Sequence, residues 1–257
     1  MSRQIMQYFL PLDKLSQEPY STIIGYPKAT KKQIKTRINE LKKLGVQDMS
    51  FQGQSKIGSL SILGKGYVGV VVLARIKNKF VAVKIRRTDA SRTNMIKEAK
   101  FLKIANKTGV GPLLIARSRN FMIMEFLDGK KIGDWISELK SKRDAKVLKS
   151  ITQKILEDCY SLDVIGLDHG ELSTISKHVV IGKSKTTIID FESASTQRRV
   201  SNVTSATQAI CIGSGISKIV RKIYKLPSKN KIIKVLRSYK QEPDRKTFEK
   251  ILEILKL

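Results

Sequence analysis

The 257-residue sequence is short of several features whose scarcity limits what the protein can be. It has two cysteines, Cys159 and Cys211, in unrelated contexts, so we expect neither a cysteine metal cluster nor a disulfide. No uncharged apolar run reaches about 18 residues, so no membrane span is expected. The N-terminus lacks a long apolar core and a small-residue cleavage site. We therefore expect no secretory signal and a cytoplasmic location.

Acidic residues are also scarce, because 22 Asp and Glu stand against 50 Lys and Arg and give a formal net charge of +28. The positive electrostatic field of such a chain attracts polyanions, for example RNA, ribosomes, acidic proteins or anionic lipid. The basic residues are spread along the chain, so simple solubility is an equally good explanation. A hydrophobic content of 41% excludes wholesale disorder, and the length fits one bilobal domain or two small ones.

A basic helix is predicted near residues 30–44. Thr30 and Gln33 form a T-x-x-Q capping box, which satisfies early backbone donors. One face carries apolar residues at helical spacing, namely Ile34, Ile38 and Leu41. The other face carries basic residues, namely Lys31, Lys32, Lys35, Arg37 and Lys42. This pattern favours a docking helix with a solvated basic face over a helix that reads nucleic acid.

The remaining chain changes from strands to helices. Residues 50–86 predict strand, glycine loop, strand, a turn at Lys77–Asn78, and strand. A helix near 91–105 and a buried strand in FMIMEF follow. A long helix at about 144–165, a hairpin at 179–190 and a basic helical remainder complete the chain. This order predicts an α+β fold with two lobes.

The glycine loop has the spacing Gly64-x-Gly66-x-x-Gly69. A dinucleotide-binding loop of this spacing leads into a helix, whereas here VVVLARI continues as a strand. A strand–loop–strand with these glycines fits a flap over nucleotide phosphates, because backbone amides can approach oxygens where no Cβ intervenes. A plain tight hairpin is the alternative.

Lys84 lies in an apolar strand, between Val83 and Ile85. If its ammonium points inward, it needs a buried partner. Glu98, on the apolar side of the next helix, is the expected partner, and a Lys–Glu pair that holds the α- and β-phosphates is what kinases use. The alternative is that Glu98 is an ordinary surface residue.

Residues 167–192 contain both histidines of the chain, His169 and His178. The order LDHGEL, VVI and TTIIDFE matches a kinase catalytic loop, H-x-D-x-x-x-x-N, followed by a strand pair and D-F-G. Glu171 would face an incoming hydroxyl, and Asp190 would hold Mg²⁺, which prefers oxygen ligands.

Together these motifs resemble an atypical protein kinase of the RIO-like kind, a group that includes the kinase subunit of the KEOPS tRNA-modification complex. The segments GKGYVGVV, HGEL and DFESAS are similar to those of archaeal predicted serine/threonine kinases. The resemblance spans roughly residues 57–220. It implies a bilobal protein-kinase-like fold with a basic helical extension (1–55), a β-rich N-lobe (56–126) and a helical C-lobe (127–257) without a full activation and substrate region.

The resemblance also implies ATP and Mg²⁺ as cofactors, and a role for each matching residue. Lys84 would bind the α- and β-phosphates, steadied by Glu98, and Asp190 would bind Mg²⁺. The phosphates would be covered by Gly64, Gly66 and Gly69. The adenine would be held by Val71, Ala82, the gatekeeper Met124 and the backbone of Glu125 and Leu127. An internal packing column would contain Leu102, His169 and Phe191.

The sequence departs from the kinase pattern at several site positions. Glu171 replaces the catalytic aspartate, and Ser176 stands where the metal-binding asparagine is expected. A two-residue insertion would put His178 at the metal-facing place. Glu192 replaces the glycine of D-F-G and would supply a second metal carboxylate or pair with Lys177.

Three functions are compatible with these residues. The first is an ATP- and Mg²⁺-dependent serine/threonine kinase with an unidentified protein substrate. The second is an RNA- or ribosome-associated ATPase or assembly factor, which the net charge favours. The third is a nucleotide-binding pseudokinase, which Glu171 and Ser176 favour. A small-molecule kinase acting on cationic antibiotics is disfavoured, because the +28 charge would repel its substrate.

Overall fold

A computed structural model describes residues 8–183, 185–213 and 215–257. The chain divides into two compact units. Unit 1 comprises the described residues up to Lys100 together with Leu113–Phe126, and unit 2 comprises Phe101–Pro112 and Leu127–Leu257. The predicted α+β class, with strands concentrated in the first part and helices in the second, is confirmed.

Unit 1 is built on a seven-stranded antiparallel sheet in the order β1-β2-β6-β7-β9-β8, with β5 paired to β6. A separate hairpin joins β3 to β4. The strands are β1 (Leu10–Pro11), β2 (Asp48–Ser50), β3 (Ser55–Ile57), β4 (Leu60–Ile62), β5 (Gly64–Lys65), β6 (Gly69–Ile76), β7 (Lys79–Arg86), β8 (Leu114–Arg117) and β9 (Phe121–Glu125). The helices are α1 (Tyr20–Ile24), α2 (Lys31–Lys43) and the start of α3 (Ile96–Asn106).

Two predicted local features of unit 1 are confirmed. The β6–β7 hairpin turns at Lys77 and Asn78, whose φ angles of 47° and 62° are those of a tight turn that matches strand twist. Helix α2 begins with the reciprocal capping box of Thr30 and Gln33. Helix α3 instead starts at Ile96, later than predicted, because the Asn94 side chain accepts a hydrogen bond from the Ile96 amide at 2.9 Å and caps the helix there.

The N-terminal segment covers one face of the sheet. Its buried residues form one apolar core with alternate residues of the central strands. The segment contributes Leu10, Leu12, Leu15, Ile23, Ile24, Ile34, Ile38, Leu41, Val46 and Met49, and the strands contribute Val70, Val72, Ala74, Val81, Val83, Ile85, Phe121 and Ile123. Because strand side chains alternate in direction, the residues between these point to the opposite face.

The predicted placement of Arg37 on the solvated face of α2 is wrong. Arg37 is only 3% exposed. Its guanidinium donates hydrogen bonds to the backbone oxygens of Ile24 and Arg86, both at 2.7 Å, and to Asn120 Oδ1 at 3.3 Å. Burial, and secondarily the charge of Arg86, lowers the pKa of Arg37 to about 10. The other predicted basic residues of this face, Lys31, Lys32, Lys35 and Lys42, are exposed.

Unit 2 combines helices with a small antiparallel sheet in the order β10-β11-β12. Its strands are β10 (Gly129–Lys131), β11 (Val179–Gly182) and β12 (Thr186–Ile188). Its helices, besides the end of α3, are α4 (Ile132–Ser137), α5 (Ala145–Val164), α6 (Ile175–His178), α7 (Asn202–Cys211), α8 (Ser217–Ile223), α9 (Lys229–Gln241) and α10 (Arg245–Leu255).

The long helix α5 is central to the core of unit 2. It buries Leu148, Ile155, Cys159 and Leu162 and ends before Gly166, whose φ is 68°. Cys159 and Cys211 are buried free thiols, and burial raises the pKa of both. No helix in the described part of the chain is long and apolar enough to cross a bilayer.

Candidate functional site

Lys84 lies on the sheet face opposite the N-terminal segment. Residues directly paired across antiparallel strands share a face. Lys84 pairs with Val71 on β6 and with Met122 on β9, and Ala82 pairs with Met124. The predicted nucleotide residues of unit 1 therefore lie together on what we call the Lys84 face, namely Val71, Ala82, Lys84 and Met124.

The predicted partnership of Lys84 with Glu98 is present. Lys84 Nζ lies 2.6 Å from Glu98 Oε1, and both side chains are almost fully buried. Glu98 stands in the first turn of α3, between the buried residues Met95 and Ala99. Placing two charges in an apolar environment is favourable only when they are paired. The pair holds the lysine ammonium in one position on the Lys84 face.

The glycine loop is a tight hairpin of strands β5 and β6. The Gly66 amide donates a hydrogen bond to Gly69 O at 2.8 Å. A Cβ at Gly69 would lie 2.9 Å from Ile85 O and 3.0 Å from Lys84 Cγ. A Cβ at Gly64 would meet nothing within 4 Å. Gly69 therefore provides the space through which the Lys84 side chain passes.

We expect Gly69→Ala to destabilise the protein by about 1–3 kcal/mol and to displace Lys84, because the added methyl group contacts rigid backbone. The matched variant Gly64→Ala should change stability by less than about 1 kcal/mol. Urea unfolding monitored by circular dichroism measures both. Equal stabilities for the two variants would contradict this account of Gly69.

The predicted hinge residues have separate positions. Glu125 ends β9, and its amide donates a hydrogen bond to Leu113 O at 2.9 Å. Its carboxylate in turn accepts a hydrogen bond from the Leu113 amide at 3.1 Å. An adenine contact from the backbone of Glu125 can therefore not use its amide. Leu127 begins the second segment of unit 2, and its adenine contact stays a prediction.

In unit 2, the predicted catalytic loop is joined to the chain that follows Asp190. Asp168 and Ser195 exchange two backbone hydrogen bonds, at 2.9 and 2.8 Å. The Asp168 carboxylate also accepts hydrogen bonds from Arg198 at 3.0 Å and from the Ser201 amide at 3.1 Å. These contacts hold the LDHGEL segment against the DFES segment.

His169 is a packed residue of this loop. It is fully buried, its Nε2 donates to Ile189 O at 3.0 Å, and its ring lies edge-on to Phe191 at 5.0 Å. Burial lowers the pKa of His169 to about 4, so the imidazole is neutral at physiological pH. Leu102 and Phe191 both lie against Gly111. These contacts agree with the packing column that the resemblance implies.

Glu171, His178 and Asp190 lie close together in unit 2. One ligand atom from each lies within 4.8 Å of the others. His178 Nε2 is 3.1 Å from Glu171 Oε2, and the Ser193 hydroxyl donates to Glu171 Oε1. Asp190 follows β12 with a left-handed φ of 71°, a conformation that Asp tolerates better than most residues.

The positions that depart from the kinase pattern differ in their surroundings. Ser176 packs against Gly133 of α4. His178, at the end of α6, occupies the place beside Glu171 and Asp190. Glu192 lies half-buried in the short helix Phe191–Ser193. The metal role of Glu192 stays a prediction.

Sequence reasoning missed a buried polar network beneath the predicted catalytic loop. Asn202 donates to Asp163 Oδ1 at 2.7 Å and to Leu167 O at 2.8 Å, and accepts from the His169 amide at 2.8 Å. The Tyr239 hydroxyl donates to Asp163 Oδ2 at 2.9 Å. Burial raises the pKa of Asp163. The only sequence signal was polar residues at otherwise apolar helix positions.

Comparisons with known proteins show the family of this chain. The model of the RIO domain matches residues 73–204, just over half of the chain. An uncharacterised protein of Methanocaldococcus jannaschii is 34% identical over 99 residues, which cover 38% of this chain and 80% of that protein. The matched domain contains Lys84, Glu98, Glu171 and Asp190, whereas the glycine loop precedes it.

Proposed function

Because this chain belongs to the RIO domain family of atypical kinases, we propose that it is an ATP- and Mg²⁺-dependent phosphotransferase that acts on serine or threonine hydroxyls of a protein. The observation that carries the proposal is the buried ion pair of Lys84 and Glu98 at 2.6 Å. A buried lysine held by a glutamate, next to a glycine hairpin, suits the binding of phosphate oxygens. A cytoplasmic location is part of the same proposal.

The carboxylates at and near Asp190 fit the Mg²⁺ that the family implies. Carboxylate oxygens are the ligands that Mg²⁺ prefers, and Asp190 has the Glu171 carboxylate within 4.8 Å. In this proposal Asp190 is the principal ligand and Glu192 a second one. When bound, the ion would neutralise charge on the phosphate oxygens.

The protein's own residues would position the reactants. Lys84 would bind the α- and β-phosphate oxygens, and Glu171 would accept a hydrogen bond from the acceptor hydroxyl. The hydroxyl oxygen attacks the γ-phosphorus, the bond to the β–γ bridging oxygen breaks, and ADP leaves. The hydroxyl proton passes to the Glu171 carboxylate. The contacts of Glu171 with Ser193 and His178 fix its orientation for this role.

The test is incubation of the full chain with γ-labelled ATP and Mg²⁺, with the chain itself and casein as acceptors. We expect label on serine or threonine, identified by phosphoamino acid analysis. The matched variant Asp190→Asn should lose the label, since Asn keeps the shape and tolerates the left-handed backbone but lacks the charge. Label that persists in Asp190→Asn would contradict the proposed site.

A second candidate function is an RNA-associated ATPase, which the exposed lysines of α2 and the charge of +28 favour. This function predicts that RNA stimulates phosphate release while no labelled protein forms. It also predicts RNA binding that weakens steeply with salt. If the chain forms no labelled protein, releases no phosphate and is not thermally stabilised by Mg-ATP, both candidate functions are wrong. A scaffold without nucleotide binding would then remain.

A further inference from the structure

The group formed by Glu171, His178 and Asp190 differs chemically from an all-oxygen magnesium site. Its members come from three places in unit 2. Glu171 lies in the catalytic loop, His178 ends α6, and Asp190 follows β12. Ligand atoms of all three lie within 4.8 Å of one another. The group therefore combines two carboxylates with one imidazole nitrogen.

His178 is the member of the group that offers a nitrogen ligand. It is 7% exposed, so more than nine-tenths of it is buried. Its Nε2 lies 3.1 Å from Glu171 Oε2, whereas its Nδ1 is buried and has no hydrogen-bond partner in the described part of the chain. Because Nε2 is the nitrogen that faces Glu171, it is the one that would bind an ion, and the ring proton would then sit on Nδ1.

The spacing of the group fits one octahedral ion. Metal–ligand bonds of about 2.1–2.2 Å place neighbouring ligand atoms about 3 Å apart and opposite ones about 4.3 Å apart. The separation of 3.1 Å between His178 and Glu171 is that of neighbours, and the limit of 4.8 Å needs only a small closure around the ion. A carboxylate that binds through one oxygen keeps the other for Ser193 or for an acceptor hydroxyl.

We propose that Glu171, His178 and Asp190 bind one divalent ion and that His178 makes this site select first-row transition ions such as Mn²⁺ over Mg²⁺. Mg²⁺ is a hard ion that favours oxygen, whereas Mn²⁺ and the later first-row ions accept imidazole as well as carboxylate. The use of the ion in phosphoryl transfer rests on the proposed function, but its binding does not. Glu171 thereby gains a second role as a metal ligand.

The experiment is pulsed electron paramagnetic resonance of Mn²⁺ added to the full chain, prepared without a histidine tag and without nucleotide. We expect one tightly bound Mn²⁺ whose echo is modulated by an imidazole ¹⁴N nucleus. The chain has only two histidines, and the Nε2 of the other, His169, is bonded to Ile189 O. A bound Mn²⁺ without imidazole modulation would overturn the proposal.

The matched variant is His178→Asn, which replaces the nitrogen donor by an oxygen donor of smaller size. Its imidazole modulation should vanish, and Mg²⁺ competition should show that the preference for Mn²⁺ falls by at least tenfold. Unchanged selectivity in a folded His178→Asn protein would overturn the proposal. If this variant fails to fold, the modulation in the unmodified chain decides.

The two proposals fail separately. Lys84→Met removes a phosphate ligand but leaves the metal group intact, so it should keep the nitrogen-coupled Mn²⁺ while losing phosphoryl transfer. Nitrogen-coupled Mn²⁺ in a chain that never transfers phosphate would remove the proposed function alone. Transfer with Mg²⁺ and no nitrogen-coupled Mn²⁺ would remove the metal inference alone.

Discussion

Replacing Lys84 by Met is expected to lower phosphoryl transfer from ATP by roughly a hundredfold or more, because a preorganised charge on the phosphates is lost. Methionine has a similar length but no ammonium. The single variant also leaves the Glu98 carboxylate buried beside an apolar side chain. We therefore expect it to lose about 3–5 kcal/mol of stability as well.

The double variant Lys84→Met/Glu98→Gln separates the two effects. Gln keeps the shape of Glu98 without its charge, so the double variant should recover most of the lost stability. Its phosphoryl transfer should remain as low as that of Lys84→Met. Initial rates of label transfer and thermal melts measure the two quantities. A folded double variant with unimpaired transfer would show that Lys84 is structural.

Replacing Arg37 by Met is expected to destabilise the protein by about 3–5 kcal/mol, since hydrogen bonds from a charged donor contribute most when they are buried. The guanidinium joins three separate parts of unit 1, through Ile24 O, Arg86 O and Asn120 Oδ1. Methionine would leave these acceptors without their donor. Urea unfolding at pH 7 gives the free-energy difference.

Lys35→Met is the matched control for Arg37. It lies two residues away on the same helix, and its side chain is exposed. At this exposed position, the same change from a basic residue to Met should alter the free energy of unfolding by no more than about 0.5 kcal/mol. Similar losses for the two variants would mean that helix propensity, and not the buried hydrogen bonds, accounts for the effect of Arg37→Met.

Arg37 shows where sequence reasoning about the fold reaches its limit. Helical spacing places it beside Ile34, Ile38 and Leu41, all of which are buried. The sequence groups Arg37 with the exposed basic residues, and an unpaired guanidinium is costly to bury. Its hydrogen-bond acceptors lie at positions 24, 86 and 120, and only the tertiary fold brings them together.

In the candidate site, too, some contacts could be predicted from sequence and others could not. The pairing of Lys84 with Glu98 could be proposed from sequence, because a lysine that points inward from an apolar strand needs a buried partner and helix periodicity puts Glu98 on the apolar side of the next helix. The contact of Ser193 with Glu171 could not, because it depends on how the loop after Asp190 folds back. Asn202 and Asp163 were missed for a similar reason, since their partners are distant along the chain.

The core that the N-terminal segment shares with the sheet also limits how the protein can be truncated. The matched domain begins at Leu73, inside β6. The apolar side chains that pack against the covered face of this strand come from residues 10–49. A fragment that contains only the matched domain would expose a large apolar surface and would tend to aggregate. Expression work and evolutionary comparison should therefore treat residues 10–49 as part of the folding unit.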